Sequence, residues 1–290
     1  MAIRVINAGA LTTVQDAGRS GFLQYGVTGC GAMDRKAYED ANKLVGNEGG
    51  EAVIEMTLYG GIYEFTCDTS AAVTGADMGV ETYRTLRVKA GERLVFGPAK
   101  DGCRTYLAVQ GGIQVPLVMG SRSTDLKAKI GGLEGRKLRA GDVLETVEGL
   151  DAAAERSLAR PEISQEFTLR VIAGPQYDRF TDKGLKTFYS SEFTVSNDSD
   201  RMGIRLSGPA IESAGTSDIV SDAIVFGSVQ ITSAGLPIVL MADRQTTGGY
   251  AKIATVCSFD LPKLAQARPG AKVRFKEISI GEAERCHTKR

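Results

Sequence analysis

The chain has 290 residues, of which 35 are basic and 35 acidic, so its formal net charge is zero. A balanced charge gives no electrostatic reason to expect a nucleic acid or an anionic membrane as partner. No apolar run approaches the ~20 residues of a membrane-spanning helix. The N-terminal residues 1–16 also lack an apolar core of signal-peptide length. We therefore expect a cytoplasmic protein that contacts neither membranes nor nucleic acids.

The cysteine and histidine content narrows the chemistry further. Five scattered cysteines form no CxxC pair, which favours a reducing compartment over a disulfide framework or a zinc site. The single histidine, His287, lies in a polar C-terminal stretch that we expect to be frayed. A Ser-His-Asp or Cys-His nucleophile is therefore not expected, and we predict no metal site. Acid–base chemistry would fall to Asp, Glu, Lys, Tyr or Cys side chains.

Short strands separated by turns dominate the first half of the chain. Residues 3–6 and 11–15 predict an opening hairpin. Asp34 then precedes the clearest helical pattern, which ends at Gly46, and Asp34 is either the N-cap of this helix or a substrate-binding residue. The glycines around Cys30 are at most a weak anion-binding signal. Six further strands are predicted, at 54–58, 62–66, 71–74, 86–88, 94–96 and 105–109.

One glycine turn occurs three times, at Gly91, Gly141 and Gly270, each time directly before an apolar strand. Frequent strands with glycine turns favour barrels over a doubly wound sheet. The stretch 145–166 is charged and alanine-rich without a strong apolar face, which is typical of a domain boundary. We predict an N-terminal domain over 1–150, a linker over 151–164 and a C-terminal domain over 165–290.

The second half contains the most informative segment. The sequence of this half predicts a strand at 168–172, a helix at 177–189, strand material at 221–231 and a short helix at 260–267. Two apolar runs, 237–241 and 253–257, read as strands. The connection between them carries seven polar side chains: Asp243, Arg244, Gln245, Thr246, Thr247, Tyr250 and Lys252. Polar groups held between rigid strands are typical of binding and catalytic loops, although a solvated loop with a chance salt bridge is the alternative.

Six short stretches, at 14–19, 31–34, 74–77, 120–125, 199–203 and 242–252, carry a resemblance that covers residues 3 to about 278. In this order they resemble the family of 5-oxoprolinase C subunits, also called allophanate hydrolase subunit 2 or the biotin-dependent carboxyltransferase domain. The family includes the antagonist of a sporulation-kinase inhibitor. The resemblance implies a mainly β fold, with two cyclophilin-like β-barrel domains and a few short helices.

The resemblance also implies a function. The chain would be the C subunit of an ATP-dependent 5-oxoprolinase that cleaves 5-oxo-L-proline to L-glutamate together with the A and B subunits, of which the B subunit is kinase-inhibitor-like. It would be inactive alone, and ATP would be used by the assembled complex, since the chain has no nucleotide-binding motif. One alternative is the carboxyltransferase component of a biotin-dependent, urea carboxylase-like enzyme. Biotin would then sit on another chain, because no Met-Lys pair is present. A second alternative is a non-catalytic antagonist that binds a sporulation-kinase inhibitor.

Ten side chains are candidates for the site. The predicted catalytic residues are Asp243, Lys252, Tyr250 and Asp200. The predicted substrate-binding residues are Arg201, Arg244, Gln245, Thr246, Asp34 and Arg122. An arginine, Arg201 or Arg244, suits the substrate carboxylate, and Lys252 could neutralise developing oxyanion or phosphoryl charge. Asp243 or Asp200 could orient water or receive a proton. We expect Lys252 to be exposed. Family members often have Pro-Ser where this chain has Gly29-Cys30, so Cys30 is not expected to be a nucleophile.

Overall fold

The computed structural model describes residues 2–147 and 150–288 and is mainly β, which confirms the predicted fold class. The chain divides into two compact units. The first comprises Met1–Gly21 and Gly29–Ile163, and the second comprises Phe22–Thr28 and Ser164–Arg290.

Two five-stranded antiparallel sheets form the first unit. The first sheet contains, in spatial order, β7 (Arg93–Val95), β4 (Ile62–Phe65), β1 (Ala2–Asn7), β10 (Val143–Thr146) and β9 (Ile113–Gln114). The second sheet contains β2 (Leu11–Gln15), β3 (Val53–Thr57), β8 (Arg104–Val109), β5 (Thr69–Gly75) and β6 (Thr85–Val88). The expected opening hairpin is wrong, because β1 pairs with β4 and β10 whereas β2 pairs with β3.

The second sheet is buried on both faces. Every residue of its central strand β8 is buried. Leu107 and Val109 belong to the core shared with the first sheet, while Tyr106 and Ala108 belong to a second core with the helix α1 (Arg35–Leu44). Successive side chains of a strand point to opposite faces, so the alternation along β8 separates the two cores.

Helix α1 begins where the sequence predicts. The carboxylate of Asp34 accepts a hydrogen bond from the Ala37 N–H at 3.0 Å, so the N-cap interpretation is confirmed. Ala41 and Leu44 have no exposed surface, and Gly46 follows at a φ of 74°. The helix is therefore fixed by its cap and by one apolar face.

The three repeated glycine turns are also confirmed. Gly91, Gly141 and Gly270 have φ values of 82°, 91° and 91°, a region that favours glycine. The N–H of each glycine donates to a backbone carbonyl of a neighbouring strand, at 2.7–2.8 Å. A strand begins two residues after each glycine.

The second unit contains a closed seven-stranded barrel. Its strands, in spatial order, are β11 (Glu166–Ala173), β18 (Lys252–Val256), β15 (Ser228–Ile231), β16 (Pro237–Leu240), β13 (Gly203–Ser207), β12 (Phe193–Val195) and β19 (Lys272–Glu277). The parallel pairing of β11 with β19 closes the ring, and the other neighbours pair antiparallel. Two further strands, β14 (Asp218–Ala223) and β17 (Thr247–Tyr250), form a separate antiparallel ribbon.

Three helices accompany the barrel in the described part of this unit: α2 (Asp182–Ser190), α3 (Leu261–Ala265) and α4 (Ile280–Thr288). The predicted helix 177–189 is interrupted, because Phe180 is extended and the Thr181 hydroxyl caps a new helix at Gly184. The expectation of a frayed C-terminus is wrong up to Thr288, since α4 includes His287. Over the described ranges, no helix combines the length and the apolar character that crossing a membrane requires.

The stretch predicted as a linker is partly bonded to the first unit. The Arg156 N–H donates to the Thr85 hydroxyl at 3.0 Å, and the Thr85 N–H donates to the Arg156 carbonyl at 2.9 Å. Leu158 donates to the Tyr83 carbonyl. Residues 156–158 thus extend the edge of β6, and the boundary between the compact units falls at Ile163. The independent folding of the two predicted domains stays a prediction.

Candidate functional site

The polar segment 243–252 is not a single loop. Its residues Thr247–Tyr250 form β17, which pairs with β14. Asp243 follows the end of β16, whereas Lys252 opens β18. Gln230 of β15 lies opposite both Lys252 and Ile238, so Lys252 is level with the beginning of β16. The structure therefore divides the predicted site residues of this segment into two clusters at different levels of the barrel.

The first cluster is an ion pair between Arg201 and Asp243. The guanidinium donates twice to the carboxylate, Nε to Oδ2 at 2.9 Å and Nη2 to Oδ1 at 2.8 Å. The Asp243 N–H also donates to the Arg201 carbonyl at 2.9 Å. Arg201 is 4% exposed. A buried bidentate pair is strongly oriented, and this one joins the residues before β13 to those after β16.

Asp200 and Arg244 flank this ion pair in the chain. The exposed Asp200 carboxylate accepts from the N–H groups of Met202 and Gly203, at 2.8 and 3.1 Å, and so shapes the turn before β13. The Arg244 guanidinium is half-buried, with Cζ 5.5 Å from the centre of the Phe226 ring. This distance allows a cation–π contact.

The second cluster is built around Lys252. Its side chain is 3% exposed, so the expectation of an exposed lysine is wrong. The ammonium Nζ donates to Asp222 Oδ2 at 2.7 Å and to the Ala223 carbonyl at 2.9 Å. Gln176 Oε1 accepts from the Lys252 N–H at 3.1 Å, while Gln176 Nε2 donates to Asp222 Oδ2 at 3.2 Å. One carboxylate oxygen thus holds both the lysine and the glutamine.

Asp222 and Gln176 are residues that sequence reasoning missed. Asp222 lies 30 positions before Lys252, and Gln176 lies 76 positions before it, so no local spacing connects the three. The hydrogen bond from Lys252 lowers the pKa of the Asp222 carboxyl, and the Ala223 N–H and Gln176 lower it further. The carboxylate therefore stays ionised beside the lysine at neutral pH.

The ribbon brings the remaining candidates of the segment to the side of Lys252. Gln230, which is 2% exposed, donates to the Tyr250 carbonyl at 3.1 Å. The Thr246 carbonyl accepts from the Ile224 N–H at 3.1 Å. A Cβ at Gly248 would lie 2.8 Å from Gln230 Nε2 and 3.2 Å from Gln245 Nε2. Glycine at this position allows the ribbon to approach the amides closely.

Asp34 and Arg122 belong to the first unit. Asp34 is 5% exposed, and its N–H donates to the Tyr106 hydroxyl at 2.7 Å. Burial, with the charges of Glu55 and Asp34, raises the Tyr106 pKa well above its usual value, so this hydroxyl stays neutral. The N–H of Met33 donates to the Glu55 carboxylate at 2.9 Å. Side chains of the first unit therefore already accept hydrogen bonds from the N–H groups of Met33 and Asp34, just before α1.

Two stretches of the family resemblance meet at Asp16 in the same unit. The Asp16 carboxylate is 4% exposed and accepts from the hydroxyls of Ser121 and Ser123, each at 2.6 Å. It also accepts from the N–H groups of Gly18 and Arg122. The Arg122 guanidinium turns away and donates to the Val115 carbonyl at 3.1 Å. This is a closed hydrogen-bond network inside the unit.

Two further reactive side chains are His287 and Cys30. His287 is exposed on α4, at a mainly apolar cavity of about 440 Å3 between that helix and the barrel. Cys30 is buried and has a φ of 51°. Within residues 2–147 and 150–288, no three His, Cys, Asp or Glu side chains are grouped so that they could hold a metal ion.

Comparison with known proteins identifies the family. Residues 25–277 match the family described as carboxyltransferase domain, subdomain A and B. The chain belongs to this family. Its sequence is 40% identical to the 5-oxoprolinase C subunit of Haemophilus influenzae over 294 residues, which cover 99% of this chain and 94% of the relative. It is 41% identical to the 5-oxoprolinase C subunit of Escherichia coli over 288 residues, covering 97% and 93%.

A solved structure of the family agrees with the fold. The crystal structure of the Kluyveromyces lactis urea amidolyase superimposes with a TM-score of 0.92 at 30% identity. The match covers 99% of this chain but 19% of the urea amidolyase chain. The resemblance expected from six short stretches of sequence is thus confirmed at the level of the family.

Proposed function

We propose that the chain is the C subunit of an ATP-dependent 5-oxoprolinase, which converts 5-oxo-L-proline to L-glutamate together with its A and B subunits. This proposal rests on the 40–41% sequence identity to two proteins named as the C subunit of 5-oxoprolinase. In each comparison the match covers at least 93% of both sequences. Since each match spans almost the whole of the relative, the proposal concerns the role of that subunit rather than of one domain within it.

The proposed chemistry opens a stable cyclic amide. The C–N bond of the lactam breaks, the carbonyl carbon gains the hydroxyl of water, and the nitrogen gains a proton. Negative charge develops on the carbonyl oxygen as water attacks. Lys252 supplies a buried ammonium group for this charge, and electrostatic stabilisation of this kind is stronger where water is excluded.

The remaining candidates take supporting roles in this proposal. Arg244 binds the substrate carboxylate, because Nε and Nη2 of Arg201 already donate to the Asp243 carboxylate. Asp243 or Asp200 orients water, and Tyr250, Gln245 and Thr246 complete the polar wall along the ribbon. For Asp34 and Arg122 we propose a structural role in the first unit, because their hydrogen bonds lie within it.

ATP and the partner subunits complete the proposed enzyme. ATP, used by the assembled complex, supplies the driving force for breaking the amide. The A and B subunits supply the parts of the active site that this chain lacks, because sites commonly form where subunits meet. The isolated chain is therefore inactive in this proposal, and the assembled enzyme works in the cytoplasm.

Carboxyl transfer is a second candidate function, favoured by a specific observation. The chain is 33% identical to the Saccharomyces cerevisiae urea amidolyase over 310 residues, which cover 96% of this chain and 17% of that protein. In this case the chain would help to move a carboxyl group from carboxybiotin, carried by another chain, to urea or a related amide.

The test measures 5-oxoproline-dependent ATP hydrolysis and L-glutamate formation. The purified chain, shown by mass spectrometry to be free of partners, is assayed alone and with candidate A and B subunits, and these two partners are also assayed without it. We expect turnover only from the three together. Turnover by the chain alone, or by the two partners without it, contradicts the proposal. A parallel assay with urea, bicarbonate, ATP and a biotin carboxylase–carrier preparation tests carboxyl transfer.

A further inference from the structure

The ammonium group of Lys252 is bound by a carboxylate that comes from outside the barrel. Lys252 itself starts β18, and Gln176 holds its backbone N–H. The carboxylate belongs to Asp222, on the ribbon strand β14. The lysine side chain is 3% exposed, whereas the Asp222 side chain is 49% exposed. The buried member of the pair therefore sits on the rigid element, and the exposed member sits on the ribbon.

Few buried apolar side chains hold β14 in place, although its backbone pairs with β17. Five of its six residues are exposed, and Val220 at its centre is 94% exposed. Its register with β17 is interrupted between Asp218 and Asp222. Segments with few buried apolar contacts open at low free-energy cost. Moving β14 would remove both acceptors of the Lys252 ammonium, Asp222 and the Ala223 carbonyl, and would open this group to a dissolved ligand.

The ammonium would then lack its anionic partner Asp222, which a carboxylate of a ligand can replace. Gln176 Nε2, which donates to the same Asp222 oxygen, would remain beside the lysine as a second donor. An ammonium and an amide N–H converging on one oxygen suit a carboxylate ligand.

We propose that Lys252 and Gln176 form a carboxylate-binding site that Asp222 fills as an internal substitute until a ligand carboxylate displaces β14. In the direction of lactam opening, the carbonyl oxygen at which charge develops becomes an oxygen of the new side-chain carboxylate of L-glutamate. That group, a carboxylate on a CH2, has the same chemistry as the Asp222 side chain. Asp222 thus takes the place of the product carboxylate when β14 closes. This identification of the ligand rests on the proposed function, whereas the carboxylate site itself does not.

The first test measures thermal unfolding of the full chain in increasing sodium acetate, with sodium chloride at equal ionic strength as the reference. Asp222→Ala is compared with wild type and with Asp218→Ala, which removes an exposed carboxylate from the same strand. We expect acetate to raise the Tm of Asp222→Ala by several degrees in a saturable manner, and to leave wild type and Asp218→Ala nearly unchanged. Binding to the folded state alone gives this pattern.

Two further variants distinguish the loss of the Asp222 carboxylate from a general loss of structure. Asp222→Asn keeps the size of the side chain, and we expect it to respond to acetate in the same direction. Asp222→Ala combined with Lys252→Met removes the cation, and we expect the acetate response to disappear. An equal response in the double variant, or no difference between Asp222→Ala and Asp218→Ala, overturns the carboxylate site.

Calorimetric titration with L-glutamate tests the ligand. If closure by Asp222 competes with binding, Asp222→Ala should bind L-glutamate at least about tenfold more tightly than wild type, because the binding-competent state is then no longer a minor one. If acetate binds but L-glutamate does not, the carboxylate site stands and L-glutamate is rejected as its ligand. Activity of the assembled wild-type enzyme without any acetate or L-glutamate effect rejects the inference and leaves the proposed function standing.

Discussion

Two aspartates, Asp16 in the first unit and Asp222 in the second, use the same chemical group in opposite ways. Asp16 is itself buried, and its four donors are hydroxyl and backbone groups of its own unit. Asp222 is half-exposed, and the group it neutralises, Lys252, is the buried one. A buried carboxylate surrounded by fixed donors has no competitor, whereas an exposed carboxylate over a buried cation can be exchanged for another anion.

The comparison shows that the burial of each bonded group, more than the presence of an ion pair, decides whether the aspartate can be replaced by a dissolved anion. When a substitution removes the group to which a buried side chain is bonded, an uncompensated charge or an unmet hydrogen bond remains, and the folded state is destabilised. Both aspartates should therefore matter for stability, but only the loss of Asp222 should be compensated by a dissolved carboxylate.

The largest effect on stability is expected for Asp16→Ala. The substitution leaves the hydroxyls of Ser121 and Ser123 and two N–H groups without their acceptor, at about 1–3 kcal/mol for each buried donor left unmet. We expect a loss of about 3 kcal/mol or more in urea unfolding, with no recovery in acetate. Asp16→Asn, which keeps one acceptor oxygen, should lose less. A loss below about 1 kcal/mol would show that the network is not structural.

A smaller, pH-dependent effect is expected for Asp260 in the second unit. Burial raises the pKa of this carboxyl, but hydrogen bonds from Arg170 and Lys263 outweigh burial and hold the pKa below its usual value. The resulting stabilisation is complete above the unfolded pKa of about 3.9 and is lost as the pH falls through the lower folded value. Stability measured between pH 7 and pH 2 should therefore fall more steeply in wild type than in Asp260→Asn. Parallel curves would contradict this assignment.

Independent folding of the two units can be tested with a protease that cleaves after glutamate. Glu162 is exposed and lies beyond the segment bonded to Thr85, whereas Glu155 adjoins Arg156 within that segment. We expect the first cut after Glu162, giving two fragments that each unfold cooperatively. Mass spectrometry identifies the site. A first cut after Glu155, or within a barrel strand, would count against the boundary at Ile163.

The smallest effect is expected for Val220→Thr. Since Val220 is 94% exposed, the substitution should change the free energy of unfolding by less than about 0.5 kcal/mol. A larger loss in urea unfolding would mean that β14 packs more firmly than its exposure indicates, and would weaken its assignment as a movable strand.

Local signals in the sequence predicted much of the fold. The Asp34 cap, the three glycine turns and most strands depend on neighbouring residues, so they could be found without the structure. The hairpin was mispredicted because the pairing of β1 is decided by β4 and β10, which lie far along the chain. The family stretches drew attention to Lys252, whose role in the site stays a prediction.

The surroundings of the site could not be predicted in the same way. The burial of Lys252 depends on β14, which pairs with β17 and whose exposed side chains show no alternation. Likewise, the serines that bind Asp16 lie more than 100 positions away from it. Contacts of this kind follow from topology and leave no local spacing in the sequence.

The most direct test of the account measures 5-oxoproline-dependent ATP hydrolysis by the three-subunit enzyme containing Lys252→Met. The substitution keeps a long apolar stem and removes the charge, and Asp218→Ala serves as the matched surface control. Circular dichroism and co-purification with the partner subunits establish that each variant folds and assembles. We predict that turnover falls by at least about a hundredfold in Lys252→Met, as for the loss of an oxyanion-stabilising donor, and stays at the wild-type level in Asp218→Ala. Wild-type turnover by an assembled Lys252→Met enzyme would contradict the central claim that this buried lysine acts on the reacting carbonyl.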